Sequence, residues 1–125
     1  MARLEHVNIT VKDPKAYADF LCQLFDWHVR WEGPGLAGAG YTVHVGTATD
    51  YLAVYSQGAD GAPAESYTVL GGLNHIGIVV DDLAAADARV RELGYAPHSH
   101  ADYEPGERFY FMGPDEIEIE VVAYD

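Results

Sequence analysis

The sequence predicts an α+β fold: two tandem βαβββ modules that form a cupped mixed β-sheet with the helices outside. Two observations support this prediction. Residues 4–13 reappear as residues 73–82 at a constant offset (73 − 4 = 69), and the match continues into the helical segments that follow. Apolar residues alternate along short segments and recur at helical spacing between them, in the same order in both copies.

The predicted elements follow the repeat. The first module spans residues 1–57, with a strand at 3–11, a helix at 14–26 and strands near 28–32, 41–46 and 51–56. The second spans 72–125, with a strand at 73–80, a helix at 83–93 and strands near 96–101, 107–112 and 116–123. Asp13 and Asp82 are the predicted helix N-caps, and Gly94 ends the second helix. Residues 58–71, rich in Gly, Ala, Pro and Ser, form the predicted linker.

Composition narrows the class of function. The 125 residues are 49% hydrophobic and 22% charged, as in an ordinary globular domain, and the net charge is −13. This acidity argues against nucleic acid and anionic membranes as partners. The lone Cys22 lies in a helical pattern and is predicted to be a buried thiol, which fits a reducing compartment. With no apolar run of membrane length and no signal peptide pattern, we expect a cytoplasmic protein.

Polar side chains that could bind a metal, a proton or a substrate share one face of the predicted strands. The other face is apolar and belongs under the helices, because side chains alternate along a strand. A plain exposed face would carry mostly Lys, Thr and Ser, whereas this one carries imidazoles, phenols, carboxylates and one guanidinium. Its members are His6, Asn8, His44, Tyr51, Tyr55, His75, Arg108, Tyr110, Glu118 and Glu120. A curled sheet would bring them together in a pocket for a small-molecule substrate.

Three of these residues are candidate metal ligands. His6 and His75 occupy matched positions of the duplication, and Glu120 has the same facing on the last strand. Imidazole and carboxylate together suit Fe(II), Mn(II), Zn(II), Ni(II) or Co(II), and the residues alone do not choose among these metals.

Most of the remaining polar residues on this face could have either a functional or a structural role. His44 is a candidate acid–base group or a structural histidine, and Tyr110 and Tyr55 are hydroxyl donors or packing aromatics. Arg108 would pair with a substrate carboxylate or phosphate, or with a nearby acid such as Glu118. Tyr51 and Asn8 are further candidates for substrate binding. The facing of three other histidines is open, and they are expected on the surface: His28, His98 and His100.

Three segments resemble a known superfamily. They are Leu4-Glu5-His6-Val7, Leu73-Asn74-His75-Ile76-Gly77 and the stretch from Gly113-Pro114-Asp115 to Ile119-Glu120-Val121. Together they are similar to the vicinal oxygen chelate superfamily, which includes glyoxalase I, extradiol dioxygenases, fosfomycin-resistance proteins, methylmalonyl-CoA epimerase and bleomycin-binding proteins. The resemblance covers nearly the whole chain. It implies paired modules, a cupped sheet with a central metal, and a homodimer.

The resemblance also ranks the possible reactions, because members with different reactions differ in their metal ligands. Glyoxalase-like members carry a fourth ligand, Glu or Gln, where this chain has Ala53. The remaining set matches the two-His-one-carboxylate site of the extradiol dioxygenases, which implies Fe(II) and a catechol-like diol. Their signature tyrosine lies ten residues before the glutamate, as Tyr110 does here (120 − 110 = 10). Departures from that signature are Gly113, Glu116 and a histidine, His100, that lies one residue too far away.

Three functions therefore compete. The first is a dioxygenase-like enzyme in which Tyr110 hydrogen-bonds the bound oxygen while His44 or Tyr55 moves protons. The second is a lyase or isomerase similar to glyoxalase I (lactoylglutathione lyase) or to an epimerase, with Glu120 as ligand and proton carrier. The third is a non-catalytic, drug-binding protein, which ranks last because such members often lack the metal ligands that this chain keeps.

Overall fold

The computed structural model describes residues 1–59, 61–63, 65–103 and 106–124. Two residues of the predicted linker, Asp60 and Ala64, lie outside this part. The chain divides into two compact units, Met1–Gly61 (unit 1) and Ala62–Asp125 (unit 2). Each unit contains one helix and a four-stranded mixed sheet in the order βαβββ, so the predicted α+β fold with paired modules is confirmed.

Unit 1 places its first and last strands side by side. Its elements are β1 (His6–Thr10), α1 (Pro14–Phe25), β2 (His28–Pro34), β3 (Tyr41–Gly46) and β4 (Tyr51–Ser56), with a short 3₁₀ turn at Leu36–Gly38. The strand order is β1-β4-β3-β2. β1 runs parallel to β4, and the other two pairs are antiparallel.

Unit 2 repeats this topology. Its elements are β5 (Ile76–Val79), α2 (Leu83–Glu92), β6 (His98–Tyr103), β7 (Gly106–Met112) and β8 (Glu118–Ala123), with a 3₁₀ turn at Pro114–Glu116. The strand order is β5-β8-β7-β6, and β5 runs parallel to β8. None of the helices in the described part of the chain is long and apolar enough to cross a membrane.

Both helices begin at the predicted caps. The Asp13 carboxylate accepts a hydrogen bond from the Ala16 amide at 3.1 Å, and Asp82 accepts one from Ala85 at 3.0 Å. Each bond satisfies an amide that the first helical turn leaves without an intrahelical partner. Gly94 ends α2 with φ of +93°, a left-handed conformation that glycine adopts without steric cost.

Each helix covers the apolar face of its own sheet. In unit 1, Leu21 of α1 is fully buried against a sheet whose Val43, Val45 and Val54 are at most 1% exposed. Burying one such side chain contributes about 1.5–3 kcal/mol. In unit 2 the fully buried residues are Val90 of α2 with Phe109, Phe111, Ile119 and Val121. The predicted apolar faces are buried at these positions, whereas Val7, predicted on the same face as the buried Ile9, is 42% exposed. Cys22, predicted to be buried, is only half-buried at the edge of the α1 stripe.

Two strands depart from simple alternation. The β2–β3 register shifts between Val29 and Trp31, and the β6–β7 register shifts between His98 and Ala101. Ser99, inside the second irregularity, has φ of +56°. Such bulges reverse the facing of the residues beyond them. Strict alternation along the sequence therefore could not predict which way the side chains of these two edge strands face.

We predict that Asp82→Ala lowers the free energy of unfolding by about 1 kcal/mol, because the Ala85 amide loses its acceptor. Asp81→Ala removes the same charge one residue earlier and should change stability by less than about 0.5 kcal/mol. Denaturant titration followed by circular dichroism measures both variants. Equal losses in the two variants would contradict the capping role.

Candidate metal and ligand site

The register of unit 2 places Glu120 between two neighbouring strands. Gly77 of β5 and Tyr110 of β7 are the strand partners of Glu120, one on each side. A side chain at position 77 would meet the Glu120 carboxylate, since a Cβ there would lie 3.8 Å from Oε1. This distance is an ordinary van der Waals contact, so a methyl group at position 77 would fit beside the carboxylate.

The Glu120 carboxylate is largely buried and its two oxygens have different neighbours. Oε2 accepts hydrogen bonds from Arg108 Nη1 at 2.8 Å and from the Tyr110 hydroxyl at 2.9 Å. Oε1 lies 3.3 Å from His75 Nε2. Only 12% of the Glu120 side chain is exposed, so the anion needs these partners to offset the loss of water. Arg108 is itself held by the Gly106 carbonyl at 3.1 Å.

His75 and Glu120 have the spacing of two ligands of one cation. Metal–ligand bonds of about 2.0–2.2 Å at octahedral or tetrahedral angles put neighbouring donor atoms about 2.9–3.5 Å apart. The 3.3 Å between His75 Nε2 and Glu120 Oε1 falls within this range. The buried His75 Nδ1 has no hydrogen-bond partner among the described residues, and the ring meets Tyr110 edge-on at 5.8 Å. The pair therefore fits a divalent ion.

A complete three-ligand set is not present within one unit. The described residues of either unit contain no group of three or more His, Cys, Asp or Glu placed to hold a metal. His6, the third predicted ligand, belongs to unit 1, whereas His75 and Glu120 belong to unit 2. Metal binding by all three residues therefore stays a prediction.

His6 is oriented by Glu5 and Tyr51. Its Nδ1 lies 3.0 Å from Glu5 Oε1, and its ring stacks on Tyr51 at 4.8 Å with 12° between the planes. The hydrogen bond to His6 is the main cause that lowers the pKa of Glu5, so this carboxylate is an acceptor. With this carboxylate as acceptor Nδ1 is the donor, which is how a carboxylate orients a metal-ligating histidine.

His44 and Tyr51 complete an aromatic cluster in unit 1. The His44 ring lies 4.6 Å from the Tyr51 ring, and Arg30 lies over Tyr51 at 4.5 Å. Burial, followed by the charges of His6 and Arg30, lowers the pKa of His44. His44 is therefore neutral near pH 7, as an acceptor of protons must be.

Next to this cluster, unit 1 contains an open cavity of about 770 Å³. Three predicted site residues line it: Asn8 and Tyr55, predicted to bind substrate, and His44, the candidate acid–base group. The Tyr55 hydroxyl donates to the Ala39 carbonyl at 3.3 Å and accepts a hydrogen bond from Gln57. The turn after β2 forms one edge of the cavity. The other wall residues were not predicted to belong to a site: Thr10, Trp31 and Thr42.

Unit 2 also contains a contact that the sequence did not predict. Tyr67, within the predicted linker, donates a hydrogen bond to Glu118 Oε2 at 2.6 Å. Glu118 is therefore engaged with the linker, whereas Arg108 pairs with Glu120. Nothing in the composition of the linker singles out Tyr67, since its partner is 51 residues away.

The three remaining histidines lie on the edge strands. His28 at the start of β2 is exposed, as expected. His100 Nε2 pairs with Asp87 Oδ2 at 2.6 Å, which ties β6 to α2. His98 stacks on Tyr110 at a ring distance of 6.4 Å and thus belongs to the surroundings of the Glu120 site. The bulge in β6 is the reason that sequence pattern alone left its facing open.

Taken together, the fold and site define a duplicated βαβββ protein with an imidazole–carboxylate pair on a helix-free sheet face. This chain belongs to the Glyoxalase/Bleomycin resistance protein/Dioxygenase superfamily, whose family model matches residues 3–121. No curated protein matches the sequence.

Several solved structures share the fold. A glyoxylase/bleomycin resistance protein/dioxygenase domain from Frankia sp. EAN1pec is 18% identical with a TM-score of 0.83, over 100% of this chain and 99% of that one. The fosfomycin resistance protein FosX from Listeria monocytogenes is 18% identical (TM-score 0.77, 100% and 95% covered). TnmS3, an antibiotic binding protein from Streptomyces sp. CB03234, is 20% identical (TM-score 0.74, 100% and 98% covered).

The Tyr67–Glu118 bond predicts a titration. The hydrogen bond to Glu118 is the main cause that raises the pKa of Tyr67 from 10.0 to about 12. Because the folded-state pKa is the higher one, the stabilisation is complete below pH 10 and is lost as the pH rises from 10 to about 12. Tyrosine ring NMR, assigned with Tyr67→Phe, should show this midpoint, and Glu118→Ala should return it toward 10. A wild-type midpoint near 10, or an equal shift in Glu116→Ala, would contradict the assignment.

Proposed function

We propose that this chain is a divalent-metal-dependent enzyme with extradiol-dioxygenase-like activity on a vicinal diol or catechol-like substrate. His75 and Glu120 would bind the metal, and His6, from the same chain or from a second copy, would be the third ligand. The observation that carries the proposal is the 3.3 Å separation of His75 Nε2 and Glu120 Oε1. Bound there, the metal would supply Lewis acidity and open coordination positions for two substrate oxygens.

Arg108 and Tyr110 orient the Glu120 carboxylate as a metal ligand. Both donate to Glu120 Oε2, which leaves Oε1 as the oxygen directed toward His75. Partners of this kind fix the orientation of a ligating side chain. The positive charge of Arg108, 2.8 Å from Oε2, also offsets the buried carboxylate before any cation is bound.

Tyr110 and His44 are the proposed proton-handling groups. Burial and the hydrogen bond to Glu120 raise the pKa of Tyr110, so its phenol stays protonated. Its single O–H donates to Glu120 Oε2 in this structure and would have to turn away from Glu120 to donate to the substrate. His44, neutral because its pKa is lowered, would accept a proton. Tyr51, Tyr55 and Asn8 are proposed to contact the substrate beside it, and Arg108 remains a proposed contact for a substrate anion.

The relatives support a metal in general terms. FosX from Listeria monocytogenes is known as a complex with Mn(II), at 18% identity to this chain. Ala53, only 1% exposed, has no atom that binds a cation, so three ligands remain and the proposal favours Fe(II) over Mn, Zn, Ni or Co. A homodimer and a cytoplasmic location belong to the same proposal.

Metal analysis tests the ligand set. We predict that the purified protein binds about one divalent ion per site and that Glu120→Gln or His75→Ala weakens binding by more than about 100-fold, since loss of an outer partner alone costs about 10–100-fold. Glu118→Gln is the matched control, because it changes the same residue type on the same face of β8 and should retain affinity. Wild-type protein that takes up no divalent metal, or equal losses in Glu120→Gln and Glu118→Gln, would overturn the assignment.

Oxygen uptake tests the reaction. Iron-loaded protein should consume oxygen with a panel of catechols, and Tyr110→Phe, assayed at saturating iron because its metal affinity should also fall, should lower kcat by about 100-fold or more. Uptake that is absent across the panel would remove the dioxygenase proposal. Turnover of a hemithioacetal by the Ni(II) or Zn(II) form would instead establish the glyoxalase-like or epimerase-like alternative.

A second candidate function is non-catalytic binding of a small molecule. The unit 1 cavity favours this function. Its described wall residues include none of the three proposed metal ligands, so a ligand could bind there without a metal. Tight binding of an aromatic ligand by metal-free protein, with no metal uptake, would select this function over the enzymatic one.

A further inference from the structure

Two glutamates of β8 share the face that holds the candidate cation site. Glu118 and Glu120 lie two residues apart, so their side chains have the same facing and their backbone positions are about 7 Å apart. Ile76 pairs with Ile119, and continuing this register by one residue sets His75 level with Glu118. Among the described residues, however, the carboxylate that meets the imidazole is that of Glu120, at 3.3 Å.

Tyr67 accounts for the different position of Glu118. Its hydroxyl donates to Glu118 Oε2 at 2.6 Å, the short distance that is typical of a hydroxyl bound to an ionised carboxylate. In the described part of the chain, no group of three or more His, Cys, Asp or Glu is placed to hold a metal, so Glu118 does not join His75 and Glu120. The Glu118 carboxylate is thus tied to the segment before β5 and not to the candidate site.

A closed turn holds the Tyr67 ring at this place. The turn covers residues 66–71, and the Gly72 amide that follows it donates to the Val69 carbonyl at 2.8 Å. An added Cβ at Gly72 would lie 2.8 Å from the Ser66 carbonyl oxygen, so a larger residue would push the turn open. Tyr67 is itself 56% exposed, and its hydroxyl is the group bound to β8. Removing this hydroxyl therefore breaks the contact without disturbing a buried core.

Glu118 differs from Glu120 in its charge balance. Arg108 Nη1 lies 2.8 Å from Glu120 Oε2 and offsets that anion, whereas Glu118 forms no ion pair with a described residue. The neutral hydroxyl of Tyr67 satisfies one oxygen of Glu118 but leaves its negative charge in place. Released from Tyr67, this carboxylate would be attracted to a cation bound beside it and would supply a further oxygen donor. Oxygen donors of this kind suit Mn(II) better than Zn(II).

We propose that Tyr67 is a positioning residue that holds Glu118 away from the cation and thereby keeps the site at one carboxylate. The inference rests on the proposed function, because the cation is the metal that His75 and Glu120 are proposed to bind. The hydrogen bond from the linker then sets the metal preference of the site. It lowers the affinity for Mn(II), which suits oxygen donors, more than the affinity for Zn(II).

Calorimetric titration of metal-free protein with Mn(II) and Zn(II) tests this role. Tyr67→Phe keeps the ring and removes the donor, so Mn(II) affinity should rise by at least about fivefold and Zn(II) affinity by less, since the freed carboxylate adds an oxygen donor. Glu118→Gln alone should stay within about twofold of wild type, and Tyr67→Phe/Glu118→Gln should return to that value. Tyr124→Phe, which removes the hydroxyl of a similarly exposed tyrosine of unit 2, is the matched control and should change nothing.

Loosely bound cations need a separate control, because the net charge of −13 attracts them over the whole surface. Each protein is therefore also prepared with His75→Ala, and the uptake that persists without this imidazole is subtracted. Equal Mn(II) affinity in wild type and Tyr67→Phe, with matching circular dichroism spectra, would overturn the proposal. A gain that persists in Tyr67→Phe/Glu118→Gln would also overturn it, because such a gain would not depend on Glu118.

The failure of this inference is distinguishable from the failure of the proposed function. Metal binding by wild type with no change in Tyr67→Phe would remove the inference and leave the proposed function standing. Wild type that takes up no metal, beside a Tyr67→Phe variant that binds Mn(II) through Glu118, would remove the proposed function and retain the inference. Absence of uptake in every protein would remove both.

Discussion

The low-dielectric position of the Glu120 carboxylate is the constraint on which the candidate site depends. A nearly buried anion is tolerated only where cationic or protic groups surround it. Arg108, Tyr110 and His75 meet this need from three directions, and each is positioned by the pairing of β7 or β5 with β8. The sheet register therefore determines the chemistry, because a slip of one residue would move Glu120 to the apolar face under α2.

The two units show how one scaffold has acquired two different surfaces. The row Asn8–Ala53–His44–Trp31 in unit 1 corresponds by topology to the row Gly77–Glu120–Tyr110–His98 in unit 2. The first row holds two aromatic rings beside two small side chains and borders the unit 1 cavity, whereas the second contains the Glu120 carboxylate and the Tyr110 hydroxyl that donates to it. Duplication thus supplied equivalent positions, and substitution at those positions left an alanine in unit 1 where unit 2 has a buried carboxylate.

Sequence periodicity predicted the elements well because the core faces alternate without interruption in six of the eight strands. The caps Asp13 and Asp82 and the stop at Gly94 were predictable for the same local reason. Trp31 and His98 were not, since the bulges in β2 and β6 change the facing of residues. Tyr67 was not predictable either, because its contact with Glu118 depends on how the chain returns to the sheet. Local patterns thus predict elements, whereas contacts between distant segments depend on tertiary structure.

The parallel pairing of the first and last strands in each unit has a kinetic consequence. His6 pairs across to Tyr51, a separation of 45 residues (51 − 6), and Ile76 pairs with Ile119, a separation of 43 (119 − 76). The antiparallel pairs close over far shorter loops, and loop closure of this length carries the larger entropic cost. We therefore expect the strand that bears His6, and the one that directly follows His75, to join their sheets last. On this expectation each imidazole reaches its final surroundings late in the folding of its unit.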